Sequence, residues 1–382
     1  MKIKLSPVFA VALLGAASCA HAQSSITLYG VIDDSLTYFN NSGGSSILQL
    51  QGPNFTANKW GMKGTEDLGG GLKAIFDLEN GFNLNNGQLG QGGLEFGRQA
   101  FVGLTGDSWG TVTIGRQYDP TVDLIQGITA DGEYGPAFAT PGDADNNDFT
   151  FRVNNAIKYL SPVYAGLQYE ILYALGGVAG NLSSGQTYSA AALYTHGGLS
   201  LAAGYLFTKN DGVGGAGTTE LTQNNSVTPL YGAIPMVGSR QIVQLAGQYV
   251  VGPFTANVRY SNAQYKPYQV FAAFNRTETF NTGAASLGYQ VTPAELVAIG
   301  YTFTKSSGAS SATYNSIAAT SEYSFSQRTA LYATAAFTHA SGNTFSEDGS
   351  TIVPAGGAVA DMTATSSTPN QIAIMAGISH RF

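Results

Sequence analysis

The stretch Asp119–Asn147 carries Asp123, Asp131, Glu133, Asp143 and Asp145 and no lysine or arginine. Arg98 and Arg116 precede it, and Arg152 and Lys158 follow it. Acids facing bases across water do not break bonds; they make a transverse field that orients dipolar solutes and penalises apolar ones. Low-dielectric walls focus such a field. Rings of charged side chains select ions, and passage needs binding weak enough to allow exit. Arginine suits a wall because it stays ionised when crowded. The same charges could instead be solvated wall residues, or salt bridges that fasten the loop. A turn-rich connection of this length is usually functional or disordered, and the expectation is that it folds into a tube and faces a basic wall.

Catalysis finds no comparable constellation. Beyond residue 22 the histidines are His196, His339 and His380, without an H-E-x-x-H pattern or a cysteine partner for zinc. No G-x-S-x-G elbow is present. Gly212–Gly217 matches G-x-G-x-x-G, but no helical pattern follows it. The expectation is no enzyme, no cofactor and no metal, with a loop-bound calcium left open by the acids between Asp143 and Asp148.

What must position these charges is read from composition and periodicity. Lys2 and Lys4, the apolar run Leu5–Gly15 and Ala20-His21-Ala22 form an export signal over residues 1–22. The run is too short for a hydrocarbon core of ~30 Å, and lipid attachment at Cys19 is the rival. Cleavage leaves a 23–382 domain without its one cysteine, and more acidic than the −7 of the whole chain. That balance argues against nucleic acid. Charged residues are 11% of the chain, well below the ~25% of soluble domains, yet no later segment is apolar enough for a spanning helix. In a bilayer only helices and closed barrels satisfy every backbone group, so a barrel remains.

Alternation supplies the strands. Leu201, Ala203, Tyr205 and Phe207 share a face, as do Val297, Ile299, Tyr301 and Phe303, and Leu331, Ala333, Ala335 and Phe337. Phe149, Phe151 and Val153 alternate with Thr150, Arg152 and Asn154. Asp33 and Asp34 break the phase of the first strand, and Arg116 shares a face with Val112 and Ile114, so that either a bulge intervenes or that part of the lumen wall is apolar. A two-sheet sandwich also alternates, but here the segments recur across the chain without a domain break and end in aromatics. Connections are short at Asp67–Gly71, Gly106–Gly110, Ser161–Pro162, Gly197–Gly198 and Gly252–Pro253. They are long at Asn40–Asn58, Asp119–Asn147, Asn210–Ser239 and Ser341–Pro369. At roughly 22 residues per strand, about 16 antiparallel strands result.

The stretches SSITLYGVIDDSLTYF, NKWGMKGTEDLGGGLKAIFDLENGFN, FGRQAFVGLTGDSWGTVTIGRQYD, RVNNAIKYLSP and ISHRF resemble the general porins of Gram-negative bacteria, β-proteobacterial type. The resemblance implies an all-β transmembrane barrel of 16 strands, a homotrimer in the outer membrane amid lipid and lipopolysaccharide, whose third long loop folds inward. It implies a basic wall of Lys59, Arg98, Arg116 and Arg152 facing the loop acids Glu133, Asp131 and Asp123. Lys63, Lys73, Lys158 and Arg259 are candidates for further lumen charges, and Phe382 resembles the signal read by the outer-membrane assembly machinery. The implied activity is passive diffusion of ions and small hydrophilic solutes. A substrate-selective channel, or a plugged barrel acting as adhesin or receptor, is the alternative.

Overall fold

The computed structural model describes residues 25–181, 183–209, 237–268, 273–346 and 349–382. The expected export signal lies outside them, as does the Asn210–Ser239 connection up to residue 236. The strands are β1 (Ser25–Ser42), β2 (Ser45–Gln51), β3 (Lys59–Gly69), β4 (Leu72–Gly81), β5 (Gln99–Gly106) and β6 (Gly110–Gln117). After the long loop come β7 (Val153–Leu160), β8 (Leu167–Ala174), β9 (Thr187–His196), β10 (Leu199–Lys209), β11 (Val237–Val251) and β12 (Phe254–Pro267). Then follow β13 (Glu278–Thr292), β14 (Glu295–Ser307), β15 (Thr313–Ser324), β16 (Thr329–Ser341), the short hairpin β17 (Asn343–Phe345) and β18 (Ile352–Pro354), and β19 (Asn370–Arg381).

Neighbours pair antiparallel around a single sheet of 17 strands. Both β2 and β3 pair with β1, β3 along Ser25–Val31 and β2 along Ser35–Ser42, so they are halves of one stave and the barrel has 16. It closes where β19 lies beside β1, from Val31 opposite Arg381 to Phe39 opposite Ala373. Phe382 continues that ladder, exchanging two 3.1 Å backbone hydrogen bonds with Gly30. Its ring covers Gly30, where an added Cβ would sit 2.3 Å from the ring.

Period-two patterning explains the tube. Ile299, Ile317, Leu331 and Ile374 point outward and are exposed, while Thr302, Thr320, Thr334 and Met375 point inward and are buried. Closure pairs the strand backbone, as hydrocarbon demands. Among the described residues no helix is long and apolar enough to cross a membrane. Aromatic pairs mark both rims, Phe254 with Tyr289 at the short-turn end (4.9 Å between centroids) and Tyr188 with Phe207 at the other (4.8 Å).

Three local expectations are corrected. The Asp33–Asp34 phase break is absent: β1 keeps its parity, and the interruption is in its partner stave, between β2 and β3. Asn40–Asn58 is not a long loop but a tight turn at Gly43–Gly44, a strand, and residues 52–58 dropping into the barrel. Phe149–Val153 is not a strand with an apolar outer face. Phe151 and Val153 are buried inside, and Asn155, at φ +51°, resets the phase so that Ala156 and Lys158 face inward and Ile157 outward.

Candidate lumen constriction

Between β6 and β7 the chain folds into the barrel as α1 (Pro120–Ile125), α2 (Ala130–Tyr134) and single turns at Pro136–Phe138 and Pro141–Asp143. Asp119 caps α1, its carboxylate accepting from the Thr121 amide at 2.9 Å. Small residues on the inner wall make room for the loop. Leu124, Ile125 and Ile128 pack on Ala191, Ala202 and Ala246, and Tyr134 and Phe138 on Ala298, Ala318 and Ala336. At Gly288 an added Cβ would lie 2.3 Å from the Tyr134 hydroxyl, and at Gly300 2.7 Å from the Phe138 ring.

Charges complete the docking. Arg259 on β12 is paired with Asp145, which also accepts from Ser261 and from Thr140 (3.1 Å). The Gln244 amide donates to the Asp145 carbonyl at 2.6 Å. Lys158 on β7 is paired with Asp123 and lies 3.4 Å from Glu170.

The docked loop leaves an opening of about 720 Å³. Lys59 and Arg98 line it from the wall, Arg152 from the end of the loop just before β7, and Asp123, Asp131 and Asp148 from the loop. Residues of the 52–58 segment and Asp361, from the last long loop, complete the rim. Glu79 ties the basic side together: its carboxylate lies 3.0 Å from Lys59 Nζ and 2.8 Å from Arg98 Nε. Arg152 donates to the Tyr118 hydroxyl at 2.8 Å, its guanidinium 4.8 Å above that ring. Arg98 lies 5.8 Å from Tyr118 and 5.5 Å from Phe149. Each guanidinium therefore lies against an aromatic face, a favourable arrangement for arginine.

Loop acids respond to burial. The Asp131 carboxyl is pushed up to about 6, Arg259 partly opposing the shift. Asp148 and Asp361 are raised as well, both by burial, with Asp361 adding repulsion at Asp148.

Of the residues expected at the constriction, Lys59, Arg98, Arg152, Asp123 and Asp131 meet there. Arg116 does not. It keeps the outward parity of Ile114, and its Nε and Nη2 donate to the Gly97 carbonyl (2.8 and 2.6 Å) while Nη1 donates to Asn154 Oδ1 (2.6 Å). It pins the loop between β4 and β5. Glu133 is hydrogen-bonded to Gln248 on β11 and does not line the opening. Arg259 and Lys158 face inward but hold the loop. Lys63 lies on the inner wall, 5.2 Å from the Tyr29 ring, and Lys73 shares that parity.

The acids weighed for calcium are engaged otherwise: Asp143 accepts from the Asp148 amide (2.9 Å) and the Thr150 hydroxyl (2.6 Å), and Asp145 holds Arg259. Among the described residues no group of three metal-ligating side chains is suited to an ion. Sequence reasoning missed Glu79, Tyr118, Asp361 and Arg240, whose guanidinium lies 3.6 Å from the Phe151 ring. Glu79 had a signal, sharing a parity with Lys73 and Asp77; Asp361 had none.

A family model of Gram-negative porins matches residues 10–343. The chain belongs to the Gram-negative porin family. An outer membrane porin protein of Bordetella pertussis is 36% identical over 45% of this chain and 48% of its own length. Outer membrane porin protein 32 of Delftia acidovorans is 36% identical over 44% and 48%. The chain thus spans about half the length of these two relatives. The major outer membrane protein P.IB of Neisseria gonorrhoeae is 28% identical over 85% of this chain and 91% of its own. Among solved structures, an anion-selective porin from Comamonas acidovorans has a TM-score of 0.74 at 23% identity, covering 94% of this chain and all of the other, a likeness of fold. As a member of that family this porin is an outer-membrane β-barrel.

Proposed function

We propose that this porin is an open channel for passive diffusion of ions and small hydrophilic solutes, its acidic inner loop facing a basic wall. The observation that carries this reading is the 720 Å³ opening with Lys59, Arg98 and Arg152 on one side and Asp123, Asp131 and Asp148 on the other. Its breadth favours a conducting path over a plugged barrel that serves as adhesin or receptor. Opposed charges a few side chains apart reorient a dipolar solute without holding it, which suits transit rather than storage. A homotrimer embedded in lipid and lipopolysaccharide, with Phe382 as the mark read by the assembly machinery, completes the proposal; a related Vibrio cholerae fold, OmpT, has a trimer form.

Conductance in planar bilayers is the test. Purified porin is expected to add current in steps of three, without saturation by any one small uncharged hydrophilic solute such as a sugar. Neutralising Arg98 and Arg152 together is expected to move the reversal potential under a salt gradient toward cations. Saturation by one uncharged solute favours a selective channel, and a silent bilayer refutes the open path.

A further inference from the structure

The break between β2 and β3 is a built feature rather than a loose excursion. Asp33 on β1 accepts the amides of Asn54 (2.8 Å) and Phe55 (3.2 Å) and the hydroxyl of Tyr332 (3.0 Å). The Asn58 side chain brackets the Asp33 backbone, accepting its N–H at 2.6 Å and donating to its carbonyl at 2.9 Å. Asn54 donates to Ser35 (2.6 Å) and Thr37 (2.7 Å). These bonds hold Phe55 inside the barrel, stacked on Tyr332 with centroids 5.0 Å apart and planes 20° apart. The loop tip abuts it: a Cβ on Gly135 would lie 3.3 Å from Phe55 Cα.

Below the opening, toward the short-turn rim, a second chamber of about 460 Å³ is lined by Glu322, Ser324, Arg328, Thr329 and Arg381. Phe55 and Arg381 are the two side chains that line both chambers. A solute passing between them meets an aromatic ring and a guanidinium. Arg328 and Arg381 against Glu322 leave this chamber one net positive charge, which matches a single carboxylate.

We infer that Phe55 and Arg381 form a second selective step, a transient binding site for small planar monocarboxylates whose ring lies against Phe55 and whose carboxylate meets Arg381. The inference deepens the open-channel reading and rests on it. Arginine donates to a carboxylate in a matching fork, while offset or edge-on ring contact adds a preference that an aliphatic acid lacks. Small acids of both kinds still pass; the aromatic ones dwell.

The test uses the full-length porin in planar bilayers carrying potassium chloride current, with benzoate and acetate as probes. Benzoate is expected to reduce the current saturably, and acetate at equal concentration is not. Phe55→Leu and Arg381→Gln are each expected to weaken the benzoate effect roughly three- to ten-fold, the scale of one such contact, and Arg381→Lys to weaken it less than Arg381→Gln. Phe55→Leu keeps apolar bulk, so the 52–58 segment stays filled, and Phe55→Tyr, which keeps the ring, is expected to retain the block. A conducting wild type on which benzoate and acetate act alike, or variants with unchanged block, overturns this inference alone. A wild type that does not conduct overturns the open-channel reading first.

Discussion

Arg259 separates a lumen charge from a loop anchor, and its replacement by methionine distinguishes the two. Its side chain is 3% exposed and that of Asp145 1%. Removing one partner of such a buried pair leaves an uncompensated charge and costs about 3–5 kcal/mol. At one decade per 1.4 kcal/mol, the ratio of docked to released loop falls by roughly a hundred-fold to a few thousand-fold. Docking is not abolished outright, because the Gln244 amide still holds the Asp145 carbonyl and Asn257 still holds that of Ile128 (3.0 Å). The expected phenotype is flickering, larger single-channel steps and faster proteinase K cleavage within 126–150 in detergent. Replacing the pair together, Arg259→Met with Asp145→Leu, removes both buried charges and is expected to restore quiet conductance and protease resistance, since an apolar pair of similar volume is often neutral or better. A single variant as quiet and resistant as wild type refutes the anchoring role. A double variant as labile as the single refutes the charge-pair explanation.

Three further outcomes follow from the same geometry. Glu79→Gln removes the carboxylate shared by Lys59 and Arg98, so the reversal potential is expected to move toward anions; a move toward cations would show that the two cations are displaced from the opening. Arg116→Ala is expected to leave the reversal potential unchanged while Arg98→Ala shifts it toward cations, and equal shifts would return Arg116 to the lumen. Burial raises Asp131 to about 6, so its charge appears at the opening only as pH rises through that value. The raised value means that its stabilising contribution to the docked loop is complete below the ordinary carboxylate range and is lost as pH climbs through about 6. Cation preference is therefore expected to grow across pH 5–7, and Asp131→Asn to flatten that step.

The barrel was legible because lipid and water impose opposite demands on successive residues, and that demand is written locally. Leu331 to Phe337 and Ile372 to Ile378 disclose their outer faces without reference to any neighbour. The parity conflict at Arg116 was equally local, yet neither a bulge nor an apolar patch of lumen wall resolves it: the residue keeps the outer face of Val112 and Ile114 and serves the loop between β4 and β5. The export signal, by contrast, stays an expectation, since residues 1–24 lie outside the described structure.

The interior follows a different logic. Whether an inward acid meets water or a buried partner depends on where a distant strand places its counter-charge, and no period within the loop records that. Asp145 and Asp123 read alike in sequence, yet one is sealed against Arg259 from β12 and the other stays at the water's edge beside Lys158. The inner-wall alanines of β9–β11 and β14–β16 and the glycines at 288 and 300 were the available trace, since a wall facing only water has no need of vacated volume. Small residues on the inner face of far strands thus mark where a loop will rest, and the loop's apolar side chains, Ile125, Tyr134 and Phe138, mark what will rest there. Charge sets the field at the opening, but steric fit between these two sets decides which charges reach it.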